Sequence, residues 1–143
     1  MSNIASRRKS LVRYPSYPAL VSSYISNGDA PQPAARLWIY TNFDCNLACS
    51  YCLTSSSPAA ERRALPRDAY FRLVDEAVAA GIGELFLTGG EPFLLPDIAE
   101  RLAYAAERLP ATVLTNGMLL KGRRLEQLRT LQHLPITLQI SLD

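Results

Sequence analysis

Four short apolar runs alternate with three stretches of helical period between residues 36 and 143, which predicts an α/β fold of parallel βαβ repeats. Strands joined by helical crossovers must pair in parallel, and their connections are right-handed. The chemically unusual segments all fall directly after a predicted strand. In parallel α/β sheets that edge is where ligands sit.

Residues 1–35 precede the regular pattern. They hold four of the ten prolines, an early basic cluster and Tyr14, Tyr17 and Tyr24, with no sustained period, and read as an N-terminal extension to a domain spanning 36–143. Leu37-Trp38-Ile39-Tyr40-Thr41 is apolar, aromatic and β-branched, hence a strand. A cysteine loop follows, then a Ser-rich and charged stretch, Thr54 to Ala64, expected to be a flexible connection. Pro66 suits the first turn of a helix. Tyr70, Leu73, Val74, Ala77 and Val78 share one face of it, and Gly81 is placed to end it. Glu84-Leu85-Phe86-Leu87-Thr88 is the second strand. Pro96-Asp97 opens a helix whose Ile98, Leu102, Ala105, Ala106 and Leu109 face inward, and Pro110 stops it. Ala111 to Thr115 is the third strand. A third helix is expected over roughly Lys121 to Gln132, with Leu125, Leu128 and Leu131 inward, and Ile136 to Leu142 is the fourth strand.

With 143 residues, 48% of them hydrophobic, the chain can build one real core. A net charge of +2 gives no argument for nucleic acid or an acidic partner. No apolar run approaches the roughly 18 residues a membrane helix needs. Arg7-Arg8-Lys9 superficially suggests an export signal, but Ser10-Leu11-Val12-Arg13-Tyr14-Pro15 supplies no apolar region after it. Clustered reduced cysteines without such a signal point to the cytoplasm.

All three cysteines lie in Cys45-Asn46-Leu47-Ala48-Cys49-Ser50-Tyr51-Cys52. Three soft thiolates from one looped segment can converge on a metal centre. A disulfide would leave one thiol over and strain any pairing within eight residues. Zinc completed by His133, the single histidine, is the bland alternative, although His133 lies far along the chain near a helix end. With no fourth cysteine, one coordination position is open to something else.

At Cys45-x3-Cys49-x2-Cys52, Gly89-Gly90-Glu91-Pro92 and Ser141-Leu142-Asp143, the sequence resembles the radical S-adenosylmethionine (SAM) superfamily. The wording, with Thr-Gly-Gly-Glu-Pro and Thr-Asn-Gly, is most similar to the branch of SPASM-type peptide-modifying and cofactor-building enzymes. The resemblance covers about Leu37 to Asp143. It implies that Cys45, Cys49 and Cys52 hold a [4Fe–4S] cluster whose open iron takes the amino and carboxylate groups of SAM. Tyr51 matches an aromatic position against the adenine, although it also suits a core aromatic closing the loop. Gly89, Gly90 and Glu91 match the loop that receives the methionine amino group, and carbonyls plus a carboxylate suit an ammonium. Ser141 matches a contact to the SAM carboxylate or ribose. Thr115 and Asn116 occupy a plausible lining position, or Asn116-Gly117 is simply a turn. Asp143 could reach ribose or substrate, or cap the next loop.

The implied reaction is reductive cleavage of SAM to methionine and a 5′-deoxyadenosyl radical, which takes hydrogen from a substrate. A peptide is the first expected substrate and a small molecule in cofactor synthesis the second, with an electron donor of the flavodoxin or ferredoxin type. No nucleic-acid or membrane partner is expected. The family barrel has about six βα units. This chain supplies three and a fourth strand, the first half of a partial (βα)6 barrel, so a fragment is the expectation. A zinc-stabilised binding module without chemistry is the alternative from another class.

Overall fold

The computed structural model describes residues 35–142. The expected extension over 1–35 lies outside them except for Ala35, whose carbonyl accepts from Gly83 N at 2.9 Å. Four strands, β1 (Arg36–Tyr40), β2 (Glu84–Thr88), β3 (Ala111–Thr115) and β4 (Ile136–Ile140), form one sheet in sequence order. All three pairings are parallel, as the crossovers require. The crossovers carry helices α1 (Arg67–Ala79), α2 (Ile98–Ala106) and α3 (Gly122–Thr130). This is the α/β arrangement of βαβ repeats that the alternating pattern predicts.

Alternation along each strand gives the sheet two different faces. Ile39, Leu85, Leu87, Ala111 and Val113 meet Tyr70, Val74 and Ala77 of α1 and Ile98, Leu102 and Ala105 of α2 in one buried cluster. Each fully buried large apolar side chain there is worth about 1.5–3 kcal/mol. On the other face Trp38 stacks on Phe86 with centroids 4.5 Å apart. The Arg36–Glu84 ion pair (3.3 Å) and a hydrogen bond from Thr112 Oγ1 to Glu84 Oε1 (3.0 Å) continue that row.

Arg101 is the polar member of the helix layer. Its guanidinium is buried, pairs with Asp97 at 2.9 Å, donates to Leu65 O at 2.9 Å and lies over the Tyr70 ring. Tyr70 is fully buried and donates its hydroxyl to Arg101 O at 3.1 Å; burial pushes its ionisation far above the usual tyrosine range. Arg101 thereby fastens the start of α1 to α2.

Two expectations need correction, and the fold adds one turn. Leu125 is exposed and α3 buries no residue fully; Leu128 and Leu131 pack at the edge of the core. The amphipathic period is real, but only two layers of its face find a partner on this sheet. A 3-10 turn, Pro92–Leu94, intervenes after β2 and buries Phe93. The segment expected to be a flexible connection is pinned to the cysteine loop. Phe43 N donates to Arg63 O (3.0 Å), Leu65 N to Thr41 O (2.8 Å) and Cys45 N to Ser57 O (3.3 Å). Its polar composition concealed these backbone bonds, which carry no side-chain signature.

Candidate metal centre

The loop after β1 begins with two fully buried polar residues, Thr41 and Asn42. The Thr41 hydroxyl lies 2.9 Å from Thr88 O and 3.0 Å from Asn42 Oδ1, joining the ends of β1 and β2. Asn42 Nδ2 donates to Asp44 O (2.9 Å) and to Glu91 O (3.1 Å), while Asn42 O accepts from Gly90 N (2.9 Å) and Asp44 O from Glu91 N (2.9 Å). The cysteine loop and the Gly-Gly-Glu loop are therefore bonded backbone to backbone. Nothing in the sequence singled out Asn42; a short polar residue after a strand reads as any loop residue.

The glycines have a cause that spacing could not reveal. A Cβ on Gly90 would lie 2.0 Å from Asp44 O, and one on Gly89 2.4 Å from Asn42 O, with φ +148° at Gly89 besides. Any side chain would push the two loops apart. The close approach they permit is to the cysteine loop.

Glu91 is 0% exposed. Its Oε1 accepts from Phe93 N (2.9 Å) and Thr115 Oγ1 (2.8 Å), and its Oε2 from Asn116 N (2.9 Å). Three protein donors converge on the carboxylate that the resemblance assigns to an ammonium. It ties the loop after β2 to the end of β3. Thr115 is likewise buried; its hydroxyl also accepts from Gly117 N at 3.0 Å, so its side chain braces the turn. Asn116 Nδ2 donates to Asn46 Oδ1 at 2.9 Å and lies 3.9 Å from Cys45 Sγ, bringing the Thr-Asn-Gly loop against the cysteine loop.

Cys45, Cys49 and Cys52 are free, half-buried thiols at this edge. Burial pushes the Cys45 thiol up against the opposing pull of Leu47 N, which donates to it at 3.4 Å. The hydroxyl of Thr54, 3.3 Å from Cys52 Sγ, and then the backbone at Ser56 pull the Cys52 thiol down. Tyr51 projects at 64% exposure between them. Ser141 follows β4, its N donating to Thr115 O at 3.0 Å, with its side chain exposed. Asp143 lies outside the described residues.

The position of His133 tests which group the thiols suit. His133 sits exposed in the turn that leads into β4. That is the opposite edge of the sheet from the loop leaving β1, about five strand residues of roughly 3.3 Å each away. The Cys3His zinc set is not assembled. Three free thiols without a fourth protein ligand fit an iron–sulfur cluster with one open position.

A parallel βαβ sheet with three cysteines on a loop at its carboxyl edge, clasped by a Gly-Gly-Glu loop, defines a class of α/β proteins with a thiol-bearing edge. A family model for the radical SAM superfamily matches residues 39–143, and the chain belongs to that superfamily. It is 36% identical to a PqqA peptide cyclase of Ruegeria pomeroyi over 122 residues, 80% of this chain and 32% of that protein. To an AdoMet-dependent heme synthase of Methanosarcina barkeri it is 39% identical over 89 residues, 59% of this chain and 25% of that one. Among solved structures it is similar to Streptococcus suis SuiB bound to S-adenosylmethionine, with TM-score 0.65, 29% identity and coverage of 77% of this chain and 25% of that chain. SuiB has also been solved with its precursor peptide SuiA, at the same TM-score and identity. The chain thus spans about a third or less of the length of each of these relatives. The family is one of enzymes, and no helix among the described residues is long and apolar enough to cross a membrane.

Proposed function

We propose that this chain is the cluster- and SAM-binding part of a radical SAM enzyme that modifies a peptide. The observation that carries the reading is the backbone clasp of Gly90 and Glu91 onto Asn42 and Asp44, which sets the loop with three free thiols beside Gly89-Gly90-Glu91. Cys45, Cys49 and Cys52 would hold a [4Fe–4S] cluster. Gly89, Gly90 and Glu91 would receive the amino group of SAM, chiefly through the loop's backbone, since the Glu91 carboxylate already has three protein donors. Tyr51 would lie against the adenine, and Asn116 and Ser141 would border the site, with Thr115 bracing it from beneath. When bound, the cluster and SAM supply one-electron cleavage to a 5′-deoxyadenosyl radical. The chain's own residues anchor the thiolates, orient the methionine end and keep water away by burying Thr41, Asn42 and Glu91 beneath the site.

Similarity to a PqqA peptide cyclase and to SuiB, solved with a precursor peptide, supports a peptide substrate. Similarity to a heme synthase favours the second reading, a small molecule in cofactor synthesis. An electron donor of the flavodoxin or ferredoxin type and a cytoplasmic location complete the proposal, with residues 1–35 as an extension to the 36–143 core.

The test is metal analysis after anaerobic purification and reconstitution, followed by calorimetry with SAM. About four irons and four sulfides per chain, as one [4Fe–4S] site requires, with SAM affinity lost in Cys49→Ala, is the expected result. Stoichiometric zinc without acid-labile sulfide overturns the reading.

A further inference from the structure

The Asn116 carboxamide reaches across from the loop after β3 to the loop after β1, a separation of 70 residues to Asn46. Its orientation is fixed from two sides. Glu91 Oε2 holds its backbone N at 2.9 Å, and Met118 N donates to its Oδ1 at 3.0 Å. Turning the amide over would set its NH2 group against the Met118 N–H, so Nδ2 must face the cysteine loop. That nitrogen carries two hydrogens and has two partners: Asn46 Oδ1 at 2.9 Å and Cys45 Sγ at 3.9 Å. Asn46 closes the ring by donating to Met118 Sδ at 3.8 Å.

As a thiol, Cys45 can donate to Asn46 Oδ1, 3.9 Å away. As a thiolate it cannot, and only N–H donors stabilise it: Leu47 N at 3.4 Å and Asn116 Nδ2. Hydrogen bonds to ligand sulfurs help set the reduction potential of an iron–sulfur cluster, because a donor favours the more negative reduced state.

We propose that Asn116 is a positioning residue for Cys45, holding its thiolate through a side-chain N–H and raising the reduction potential of the group bound there. This rests on the cluster reading above. Asn46 accepts the amide's other hydrogen, while Glu91 and Met118 keep the amide in place, and its side chain gives the sulfur no N–H of its own.

Two variants separate the N–H to sulfur from the bond to Asn46. In an EPR-monitored redox titration of the reconstituted 143-residue chain, Asn116→Ala shifts the midpoint to more negative potential at unchanged iron content. Asn46→Ala leaves it close to the parent, because the N–H to Cys45 survives. Equal shifts in both variants, or none in either, overturn the proposal while leaving the cluster reading intact. The metal-free chain gives an independent measure through a thermal double-mutant cycle of Asn46→Ala and Asn116→Ala. Destabilisation smaller than the sum of the two single effects supports the bridge; strict additivity overturns it. If the parent chain takes up no iron, the cluster reading fails by itself and the tuning role falls with it, whereas the cycle still decides the bridge.

Discussion

Gly90 is the residue at which sequence and structure speak most differently. In the sequence it is one half of a Gly-Gly pair, open to explanation as a simple turn. In the fold its missing Cβ is the space occupied by Asp44 O, 2.0 Å from where that atom would be. Gly90→Ala should therefore cost more than about 2 kcal/mol, because the obstacle is backbone and cannot rotate away. Thermal unfolding of the metal-free chain checks this, and iron uptake should fall with it. Glu91 makes a second prediction at the same scale. Glu91→Gln keeps the shape but turns an NH2 toward one of three backbone or hydroxyl donors, which leaves that donor unpaired. A loss of about 2 kcal/mol follows, so weakened SAM binding in any Glu91 variant must be read beside its stability. The thiols differ as well. Thr54 holds the Cys52 thiol below its usual range while burial holds Cys45 above. In metal-free chain, alkylation should label Cys52 before Cys45 as pH rises from neutrality, and Thr54→Val should narrow that gap by moving Cys52 upward. Mass-resolved labelling at several pH values measures it.

Among the elements, α1 and α2 show how a charge can organise an apolar layer. Arg101 is buried on a helix whose other inward positions are Ile98, Leu102, Ala105 and Ala106. The ion pair with Asp97 and the bond to Leu65 O make up for part of the cost of burying it, and its Nε has no partner within the described residues. Removing only one member of such a pair leaves an uncompensated charge or carbonyl. Arg101→Ala should thus destabilise by about 3 kcal/mol, more than truncating the exposed Arg129 of α3, whose partner Glu126 is itself exposed. Chemical denaturation of the two variants compares them. The periodicity of α2 was legible residue by residue, as its five expected inward positions, Ile98, Leu102, Ala105, Ala106 and Leu109, are all buried. For α3 the same kind of period placed Leu125 inward, and it is exposed, because a stripe states which face is apolar but not how much of it is covered.

For the molecule as a whole, the described residues cover the sheet with helices on one face. Trp38 and Tyr40 on the other face are 49% and 48% exposed, Leu138 and Ile140 on the helix face of the edge strand are 39% and 46% exposed, and β4 presents an unpaired edge within the described residues. Exposed strand edge and aromatic surface favour pairing with other chains. The 143-residue chain by itself should associate with rising concentration in sedimentation experiments, and Ile140→Lys on the edge strand should reduce that association without lowering iron uptake. His133 supplies the complementary control. It stands at the far edge of the sheet from the thiols, so His133→Ala should change stability by less than about 0.5 kcal/mol and leave metal content untouched.

The amino-acid sequence alone determined the strand and helix order, the parallel pairing and the edge at which chemistry gathers. Period, strand-forming residues and crossover length are local properties, and right-handed crossovers leave little freedom in joining them. It also marked Cys45, Cys49 and Cys52, because thiolate spacing is written along one loop. What only the tertiary structure decided is how the loops hold one another. Side-chain bonds from Thr115 to Glu91 and from Asn116 to Asn46 join these loops, while the buried side chains of Asn42 and Glu91 meet backbone carbonyl and N–H groups 49 and 25 residues away. Such partners leave no mark on composition or spacing, since every residue carries them and only the fold selects which ones meet.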